Sequence, residues 1–417
     1  MKTLIVSIPF FDSNMSVKAY RLITRGGEKL LGMMDNYIAP WDAVLSPGLD
    51  IVKSLGIEPL AGDRPLFVDI NEYHLLMGVP LTLKIPPKRL CCVLPNDIRP
   101  DDPVLNKCRE LKELGFSIAI DGFLDGHTTN PLFIYVDYII VDTRDYVADP
   151  KFLDAMKGLA AVKKVVLAQI PDMEIFNKLT GIENTLYSGR FYKQPLTKGK
   201  TDISPVKVNA LRLLNQINED DFDLSDIAGT IEHDPSLSIS LLRFINSVMP
   251  RKINSIRNAV AILGQKEVKR WATAALSIQL AEDRPSEITK VSLVRARFAE
   301  NLAAAFDMAV FAPSLFMMGL FSLLDVILEK PMKEAASEVA LDENVRLALV
   351  EHSGEFYKVL EFIFAYERAN WDDVAIKMVQ NNLDLDQITT AFVDALVWYK
   401  ALLDSIGESG DEEKITE

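Results

Sequence analysis

The spacing of hydrophobic residues changes near the middle of the chain. Up to about residue 194, short apolar runs alternate with helical stretches, whereas beyond residue 205 nearly every apolar pattern has the 3.6-residue helical period. The short runs are rich in β-branched and aromatic residues, which favours strands. These predicted strands are LFVDI (66–70), RLCCVL (89–94), FSIAID (116–121), YVDYIIVD (135–142) and KVVLAQI (164–170).

Helical segments separate the predicted strands. DDPVLNKCRELKELGF and PKFLDAMKGLA each have a proline near the start and a glycine near the end, which is typical of a helix. Repeated strand–helix units predict a parallel sheet, and their number within about 190 residues favours a closed, TIM-like (β/α)8 barrel. TLIVSIPFF and VKAYRLIT are joined only by DSNMS, so we expect an antiparallel hairpin to lead into the barrel.

The second half predicts an all-helical domain, so the fold class is α/β plus all-α. In DPSLSISLLRFINS, Asp234 is placed to cap a helix and Pro235 to occupy its first turn. SIRNAVAILG, KEVKRWATAALSIQLAE, SLVRARFAENLAAAF and ITTAFVDALVWYKALLDSI continue the helical period. We therefore expect a barrel at 1–195, a linker at 196–204, a helical domain at 205–407 and a disordered acidic tail at 408–417.

Charge is divided unequally between the two halves. Residues 1–200 hold 24 Lys and Arg against 24 Asp and Glu, whereas residues 201–417 hold 21 against 35. The negative second half repels phosphate backbones, which disfavours nucleic acid as a partner and favours a protein with a basic face. Two basic clusters are interpreted as solvated helix faces in preference to binding patches: Arg251, Lys252 and Arg257, then Lys266, Lys269 and Arg270.

The pattern predicts neither a membrane span nor a cysteine site. MAVFAPSLFMMGLFSLL (308–324) contains a proline and is short for a span, so we expect a buried helix. Cys91, Cys92 and Cys108 are an odd set without spaced pairs, which argues against a disulfide framework or a zinc site. The first residues have no signal-peptide cleavage site, so we expect a cytoplasmic protein without a resident cofactor.

An arginine in the second predicted strand marks the first candidate site. Side chains alternate between the two faces of a strand, so Arg21 in VKAYRLITR shares a face with Val17, Ala19 and Ile23. A cation on the more apolar face needs a partner or a water-filled site, because an unpaired buried charge is very costly. We therefore expect Arg21 to have a charged partner or a water-filled site.

The order of several motifs resembles two bacterial signalling families. IPFFDSNMSVKAYRLITR, GFSIAIDGF, VDYIIVD and SGRFYKQP are similar to successive motifs of EAL domains, the barrels of cyclic di-GMP phosphodiesterases. IEHDPSLSISLLRFINS and FMMGLFSLLDVIL resemble HDOD domains, which are helical relatives of HD phosphohydrolases. Together the two resemblances cover almost the whole chain and imply a barrel followed by a helical HD-related domain.

The resemblance also implies a lost metal site. In EAL enzymes, acidic residues and an asparagine at the carboxyl ends of strands hold divalent metals that activate water against a phosphodiester. Here Arg21 stands for the glutamate of the family name, Asp69 for the asparagine and Val93 for the next glutamate. Asp121 keeps the first of two aspartates and Gly122 replaces the second; Val141 stands for the catalytic lysine, Gln169 for a glutamate and Ser188 for a glutamine.

These exchanges predict that the barrel has no two-metal site. We expect Arg21 to form an internal ion pair with Asp69 or Asp121, because buried charges usually occur as pairs. The two acids are therefore interpreted as neutralising Arg21 rather than as metal ligands. Arg25 corresponds to an arginine that approaches the nucleotide phosphate in the family, although its position equally suits an ordinary surface arginine.

The helical half shows a similar loss. HD enzymes need an adjacent His-Asp pair, and the corresponding position in FMMGLFSLLDVIL reads Leu324-Asp325. The His-Asp pair that begins at His233 matches the opening of an HDOD helix instead, and its aspartate is interpreted as a cap. Arg295 and Arg297 lie near the place where an enzyme would have a histidine.

The leading interpretation is a non-enzymatic signalling protein whose two degenerate enzyme folds act as interaction or regulatory modules. The helical domain would engage another signalling protein, and a homodimer fits the family resemblance. The first alternative is an effector that binds cyclic di-GMP without hydrolysing it, through Arg25 and Asp121, with a guanine stacked on Phe123 or Tyr20. The second alternative is a weak residual metal-dependent phosphodiesterase.

Overall fold

The structure, a computed structural model, divides the chain into two compact units. The first comprises Met1–Gln194 and Ala365–Thr389, and the second comprises Pro195–Phe364 and Thr390–Glu417. The residues described are 3–26, 47–122, 129–144, 151–194, 205–218, 223–233, 235–249 and 252–406. The predicted linker at 196–204, the predicted tail at 408–417, Phe123, Asp234 and Arg251 lie outside them.

Eight strands of the first unit close into a barrel in the order in which they occur along the chain. Strand β1 is antiparallel to both of its neighbours, β2 and β8, and the other neighbouring pairs are parallel. The predicted fold class is confirmed, including the antiparallel start. The strands are β1 Thr3–Phe11, β2 Val17–Gly26, β3 Leu66–Asp69, β4 Leu90–Pro95, β5 Ser117–Asp121, β6 Tyr138–Asp142, β7 Lys164–Ile170 and β8 Thr185–Gly189.

The interior of the barrel is filled by side chains at alternate strand positions. The ring of Phe67 packs edge-on against the rings of Phe10 and Tyr138, each at a centroid distance of 5.0 Å. Small residues fill the remaining space, as expected for an eight-stranded barrel whose interior is a packed core. All eight strands contribute to this cluster: Phe10, Ala19, Phe67, Cys91, Val93, Ala119, Ile140 and Val166, with Tyr138, Ala168 and Leu186 packed against them.

The turn DSNMS forms the first hairpin because Asp12 holds it closed. Its Oδ1 accepts hydrogen bonds from the backbone N–H groups of Asn14 at 2.8 Å and Ser16 at 3.0 Å. Burial opposes the charge of the carboxylate, but the hydrogen bonds from Ser16, Lys18 and Asn14 outweigh it and lower the pKa of Asp12. The short turn therefore fixes the register in which β1 pairs with β2.

Three of the helices between the strands of the first unit begin at a side-chain cap. The predicted proline-start helix is α4, and Oδ1 of Asp101 caps it by accepting from the N–H of Val104 at 3.1 Å. Asn71 and Asp172 cap two others in the same way. The helices are α1 Pro47–Leu55, α2 Glu58–Ala61, α3 Glu72–Leu76, α4 Asp102–Glu113, α5 Phe152–Ala160 and α6 Met173–Leu179.

Within its described residues, the rest of the chain is helical. The α-helices are α7 Pro205–Asn218, α8 Leu224–His233, α9 Pro235–Val248, α10 Ile256–Leu280, α11 Ser286–Leu302, α12 Ala312–Phe321, α13 Leu324–Leu328, α14 Met332–Ala335, α15 Glu343–Arg346, α16 Glu355–Glu367, α17 Trp371–Gln380 and α18 Leu385–Ile406. Helix α10 is interrupted at Gly264, whose φ is +72°, where the sequence predicted a break. No helix in this part of the chain is long and apolar enough to cross a bilayer.

Residues 365–389 group with the barrel, which differs from the predicted helical domain at 205–407. The hydroxyl oxygen of Tyr366, which is fully buried, accepts a hydrogen bond from the backbone N–H of Ile5 in β1 at 3.2 Å. The ammonium of Lys193 lies 2.9 Å from Oε2 of Glu367. Helical periodicity shows which face of a segment is buried but not what covers it, so the sequence pattern did not reveal this grouping.

Two helices of the second unit approach each other closely through a glycine. A Cβ at Gly319 of α12 would lie 2.6 Å from both the Cα of Ala296 and the carbonyl oxygen of Arg295 in α11. Only hydrogen fits in this space, so the backbones pack directly against each other. This contact fixes α12 relative to α11.

We expect Gly319→Ala to lower the free energy of unfolding by about 1–3 kcal/mol, because the added methyl group overpacks a rigid backbone contact. Gly229→Ala is the matched control, since α8 leaves open space around Gly229. Removing that glycine should be neutral or stabilise by up to about 1 kcal/mol. Urea unfolding of the two full-length variants measures both effects, and equal losses would contradict the packing described.

Candidate functional site

Three charged side chains meet at the mouth of the barrel. Arg21, Asp69 and Asp121 each lie two positions after a residue of the interior cluster on β2, β3 and β5. Because side chains alternate along a strand, all three point to the inside of the barrel near the carboxyl ends of the parallel strands. This is the end of such barrels at which active sites form.

The guanidinium of Arg21 bridges the two carboxylates. Its Nε and Nη2 donate to Oδ1 of Asp69 at 3.1 and 2.9 Å, and Nη2 also donates to Oδ2 of Asp121 at 2.6 Å. The side chain of Arg21 is 14% exposed, whereas those of Asp69 and Asp121 are 50% and 47% exposed. The predicted internal ion pair is confirmed, and it involves both acids rather than one.

The electrostatics of this cluster favour a fixed charge on the arginine. Burial opposes the guanidinium charge, but the two carboxylates outweigh burial and raise the pKa of Arg21. Burial, offset in part by Arg21 and reinforced by Asp121, raises the pKa of the Asp69 carboxyl. The cluster therefore holds one permanent cation between two acids, and the guanidinium gives each carboxylate a charged hydrogen-bond donor.

The neighbouring strands bring apolar side chains to the same region. Val93 of β4 is 2% exposed and belongs to the interior cluster, at the height of Asp69, with which it pairs in register. On β6 the interior residue is Ile140 and not Val141. The assignment of Val141 to the lysine position is therefore corrected: alternation turns Val141 away from the interior, and Ile140 occupies that place.

Gly122 has a backbone that excludes an ordinary side chain. Its φ is +99°, and a Cβ at this position would lie 2.8 Å from Nδ2 of Asn96. An L-amino acid is strained at this φ whatever the space around it. An aspartate at position 122 therefore cannot be accommodated without a change of backbone and of Asn96.

Gln169 and Ser188 have structural surroundings. The pairing of β7 with β8 shifts register between Leu167 and Ile170, and Gln169 at this irregularity has a φ of +63° and an exposed side chain. Ser188 is buried, and its hydroxyl donates to the carbonyl oxygen of Pro9 at 2.8 Å. This bond links β8 to β1 where the barrel closes.

The residues predicted to hold a nucleotide are only partly brought together. Arg25 lies four positions after Arg21 on β2, on the same face and nearer the carboxyl end of the strand. Tyr20 is 7% exposed and lies on the opposite face of β2, so the structure does not place its ring beside Arg21. Phe123 lies outside the described residues.

A divalent metal does not fit this set of side chains. Mg²⁺ and Mn²⁺ need several oxygen ligands around one point, whereas here a guanidinium lies between the two carboxylates and a valine stands beside them. In the part of the chain that the structure describes, no group of three or more His, Cys, Asp or Glu side chains is arranged to hold a metal. That the substituted positions correspond to metal ligands in EAL enzymes stays a prediction from the family resemblance.

The HD-like position of the second unit is also built around an arginine. Arg295 is 2% exposed, its Nη1 donates to the hydroxyl of Ser322 at 2.5 Å, and its guanidinium lies 4.9 Å from the ring centre of Phe364. Leu324 is fully buried. Burial raises the pKa of Asp325, although the N–H of Val326 and the charge of Arg295 act against it.

The segment around the only His-Asp pair of this half begins a helix, as predicted. Helix α9 starts at Pro235, while Asp234 itself is outside the described residues. Near the end of this helix, Nδ2 of Asn246 donates to the carbonyl oxygens of Leu242 and Ile253. The N–H of Ile253 donates in return to Oδ1 of Asn246 at 2.6 Å, so this asparagine ties α9 to the following loop.

Comparisons with known proteins agree with a chain made of a barrel and a helical region. Residues 203–353 match the HDOD domain family. Over 97% of its length the chain is 28% identical to the uncharacterized protein YuxH of Bacillus subtilis (strain 168), of which it covers 100%. It is 23% identical over 95% of its length to the cyclic di-GMP phosphodiesterase CdgJ of Vibrio cholerae serotype O1, of which it covers 92%. The predicted order, a closed eight-stranded barrel followed by a region that matches the HDOD family, agrees with these findings.

A likeness to solved structures is weaker. The manganese and cyclic di-GMP complex of BlrP1 from Klebsiella pneumoniae aligns with 45% of this chain at 16% identity and a TM-score of 0.36. The chain covers 55% of that protein, which is less than two thirds of its length. An alignment with so low a score does not bear on function.

We expect Arg21→Met to lower the free energy of unfolding at pH 7 by about 1–3 kcal/mol, because it leaves two carboxylates facing each other without a cation. The loss is smaller than the roughly 3–5 kcal/mol of a fully buried broken pair because both acids are about half exposed. It should shrink below about pH 4, where protonation removes the repulsion. Arg64→Met, which breaks an exposed pair with Asp63, is the control and should cost at most about 1 kcal/mol at either pH; a loss as large and as pH-dependent in this variant as in Arg21→Met would contradict this explanation.

Proposed function

We propose that this chain, which carries an HDOD domain at residues 203–353, is a bacterial signalling protein without phosphodiesterase activity, whose barrel and helical region act as binding or regulatory modules. One observation carries the proposal: the guanidinium of Arg21 bonds to both Asp69 and Asp121 at the barrel mouth. Those two acids are the oxygen donors that the resemblance to EAL enzymes leaves for a metal.

Phosphodiester hydrolysis of this class depends on what a metal does to water. A bound divalent cation lowers the pKa of its water and stabilises the charge that develops on the phosphate. A guanidinium also carries positive charge, but it has no open coordination position and is not a general base, because its pKa lies above about 12. A cluster centred on Arg21 can therefore hold an anion or stabilise the fold, but it supplies no activated hydroxide.

The neighbouring positions support the same proposal. Val93 provides no oxygen, and Ile140 provides no ammonium group where the family motif has its lysine. The backbone at Gly122 does not accept an acidic side chain. In the helical region, Leu324 takes the place of the metal-binding histidine and Arg295 is buried against Ser322.

The first alternative is an effector that binds cyclic di-GMP without cleaving it. It is favoured by the position of Arg25 on the inner face of β2 and by the resemblance to CdgJ, whose name assigns it to this nucleotide. The second alternative, residual phosphodiesterase activity, rests on the same relative and on the two retained acids. The proposed partner for the helical region is a protein with a basic face, because residues 201–417 carry 35 acidic against 21 basic side chains.

We expect the full-length protein to leave cyclic di-GMP intact in the presence of Mg²⁺ or Mn²⁺. Chromatography of the nucleotide after incubation measures this, with CdgJ as the positive control under identical conditions. Release of a linear dinucleotide that disappears in Asp69→Ala would overturn the proposal and favour the enzyme.

Calorimetric titration with cyclic di-GMP in EDTA separates the remaining two functions. No heat of binding supports the interaction module. Saturable binding without metal supports the effector, and in that case Arg25→Ala should weaken binding about tenfold or more because a charge-assisted phosphate contact is lost. Arg64→Ala, which removes an exposed arginine that precedes β3 at the other end of the strands, should then leave the affinity unchanged.

A further inference from the structure

The helical unit contains a cleft of about 400 Å³ that lies away from the HD-like position. The second part of α10, the end of α11, the start of α12 and the segment 340–345 line it, whereas Leu324, Asp325 and Arg295 do not. Its volume is within the roughly 300–1,000 Å³ of small-molecule sites. The cleft is therefore large enough for a metabolite and separate from the positions discussed above.

One wall of the cleft is cationic. Lys269 and Arg270 lie three and four residues after Lys266 on α10, so both share a helix face with Lys266. They belong to the one stretch of this acidic half with an excess of basic residues, since residues 251–300 hold ten Lys and Arg against five Asp and Glu. The sequence pattern was interpreted as a solvated helix face. In the structure, the same basic cluster lines a concave surface.

Arg270 is held in a fixed position at this wall. Its Nη1 donates to Oε1 and Oε2 of Glu267 at 2.6 and 2.8 Å, and its Nη2 donates to Glu300. Glu300 is buried and also accepts from Nη1 of Arg297 at 2.7 Å, so two arginines share its negative charge. The carboxylate of Glu300 is therefore compensated by Arg270 from the lining and by Arg297 from outside it.

Lys266 supplies the charge that has no counterpart. It is exposed at the edge of the cleft, and its ammonium pairs with no carboxylate among the residues that the structure describes. The other acid of the lining, Asp342, accepts a hydrogen bond from the N–H of Val345 through Oδ1. Because Arg270 and Glu300 of the lining already bond to each other, the positive charge of the cleft wall comes from the two lysines, Lys266 and Lys269.

The opposite wall is apolar. Pro313, Phe316 and Met317 lie at spacings of three and one on α12, on the face that lines the cleft. Val345 is buried and closes the same side. A ligand that fits both walls has an anionic group at one end and a flat or apolar body at the other.

We propose that this cleft binds a small phosphate monoester with an apolar or aromatic body, of which nucleoside monophosphates are the simplest representatives. A phosphate group carries up to two charges and three acceptor oxygens, and it matches the two neighbouring lysines of this wall better than a monovalent carboxylate does. The body of the ligand lies against Phe316 and Met317. The contact of α12 with α11 through Gly319 keeps this wall at a fixed distance from the cationic one.

Calorimetric titration of the full-length protein with GMP and AMP, in about 0.15 M salt, tests the proposal. Adenosine provides the apolar body without the phosphate, and inorganic phosphate provides the charge without the body. We expect saturable binding of a mononucleotide, and affinities at least tenfold lower for adenosine and for phosphate, because each lacks one of the two contacts. Equal affinity for adenosine and AMP, or no binding of GMP or AMP at millimolar concentration, would overturn it.

Two variants place the binding at the cleft. Lys266→Glu reverses the unpaired charge at the edge and should weaken mononucleotide binding about tenfold or more. Lys252→Glu is the matched control, because Lys252 is an exposed lysine of the same basic stretch that does not line the cleft, and it should change the affinity less than twofold. Both substitutions are at exposed positions, and an unchanged melting temperature verifies folding. Equal weakening in the two variants, or none in Lys266→Glu, would contradict a site in this cleft.

Discussion

Eight strands that close into a barrel bring the last side chains of neighbouring strands into one small opening, and here that opening holds a guanidinium between two carboxylates. The layer below it is apolar, with Phe67 packed between Phe10 and Tyr138. The charges at the opening therefore face water on one side and an apolar layer on the other. The apolar side provides no counter-charge, which favours a cation close to the two carboxylates. A metal and an arginine are two solutions to the same electrostatic requirement. The arginine gives a site whose charge is fixed and whose geometry does not depend on an ion in solution.

Each unit contains an arginine at or near a position that the family resemblance predicts to correspond to a metal site. At the barrel mouth the partners of Arg21 are charged and half exposed, whereas Arg295 in the helical unit is buried with a hydroxyl and an aromatic ring. Desolvation is the larger cost for Arg295, and the ring of Phe364 supplies a face with partial negative charge. The two arginines are thus satisfied by different physics, although the sequence presents each as a basic residue in an apolar run.

The positions of most barrel strands could be predicted from local sequence pattern, whereas contacts between distant strands could not. Alternating apolar residues located the strands, and the five-residue turn at DSNMS indicated the antiparallel start, because both depend on a few neighbouring residues. The need of Arg21 for a partner followed from the cost of leaving a cation alone, and the resemblance to EAL domains supplied Asp69 or Asp121 as the candidate. Val141 was assigned one position from the correct residue, Ile140, because a motif written as letters does not show which side of a strand faces inward. The strain at Gln169 and the bond from Ser188 to Pro9 depend on how β7, β8 and β1 meet, which no local pattern contains.

The hydrogen bond from Ile5 to Tyr366 joins residues that are 361 positions apart. During synthesis the first strand leaves the ribosome early, whereas the segment 365–389 that completes its unit appears only after the HDOD domain has been made. At roughly 5–20 residues per second, the interval between the end of β8 and the end of that segment is about 10–40 s. For that time the nascent barrel lacks part of its covering and keeps apolar surface open to chaperones. The barrel is synthesised first, but the segment that completes its unit is translated late. Maturation of the barrel therefore depends on synthesis of nearly the whole chain.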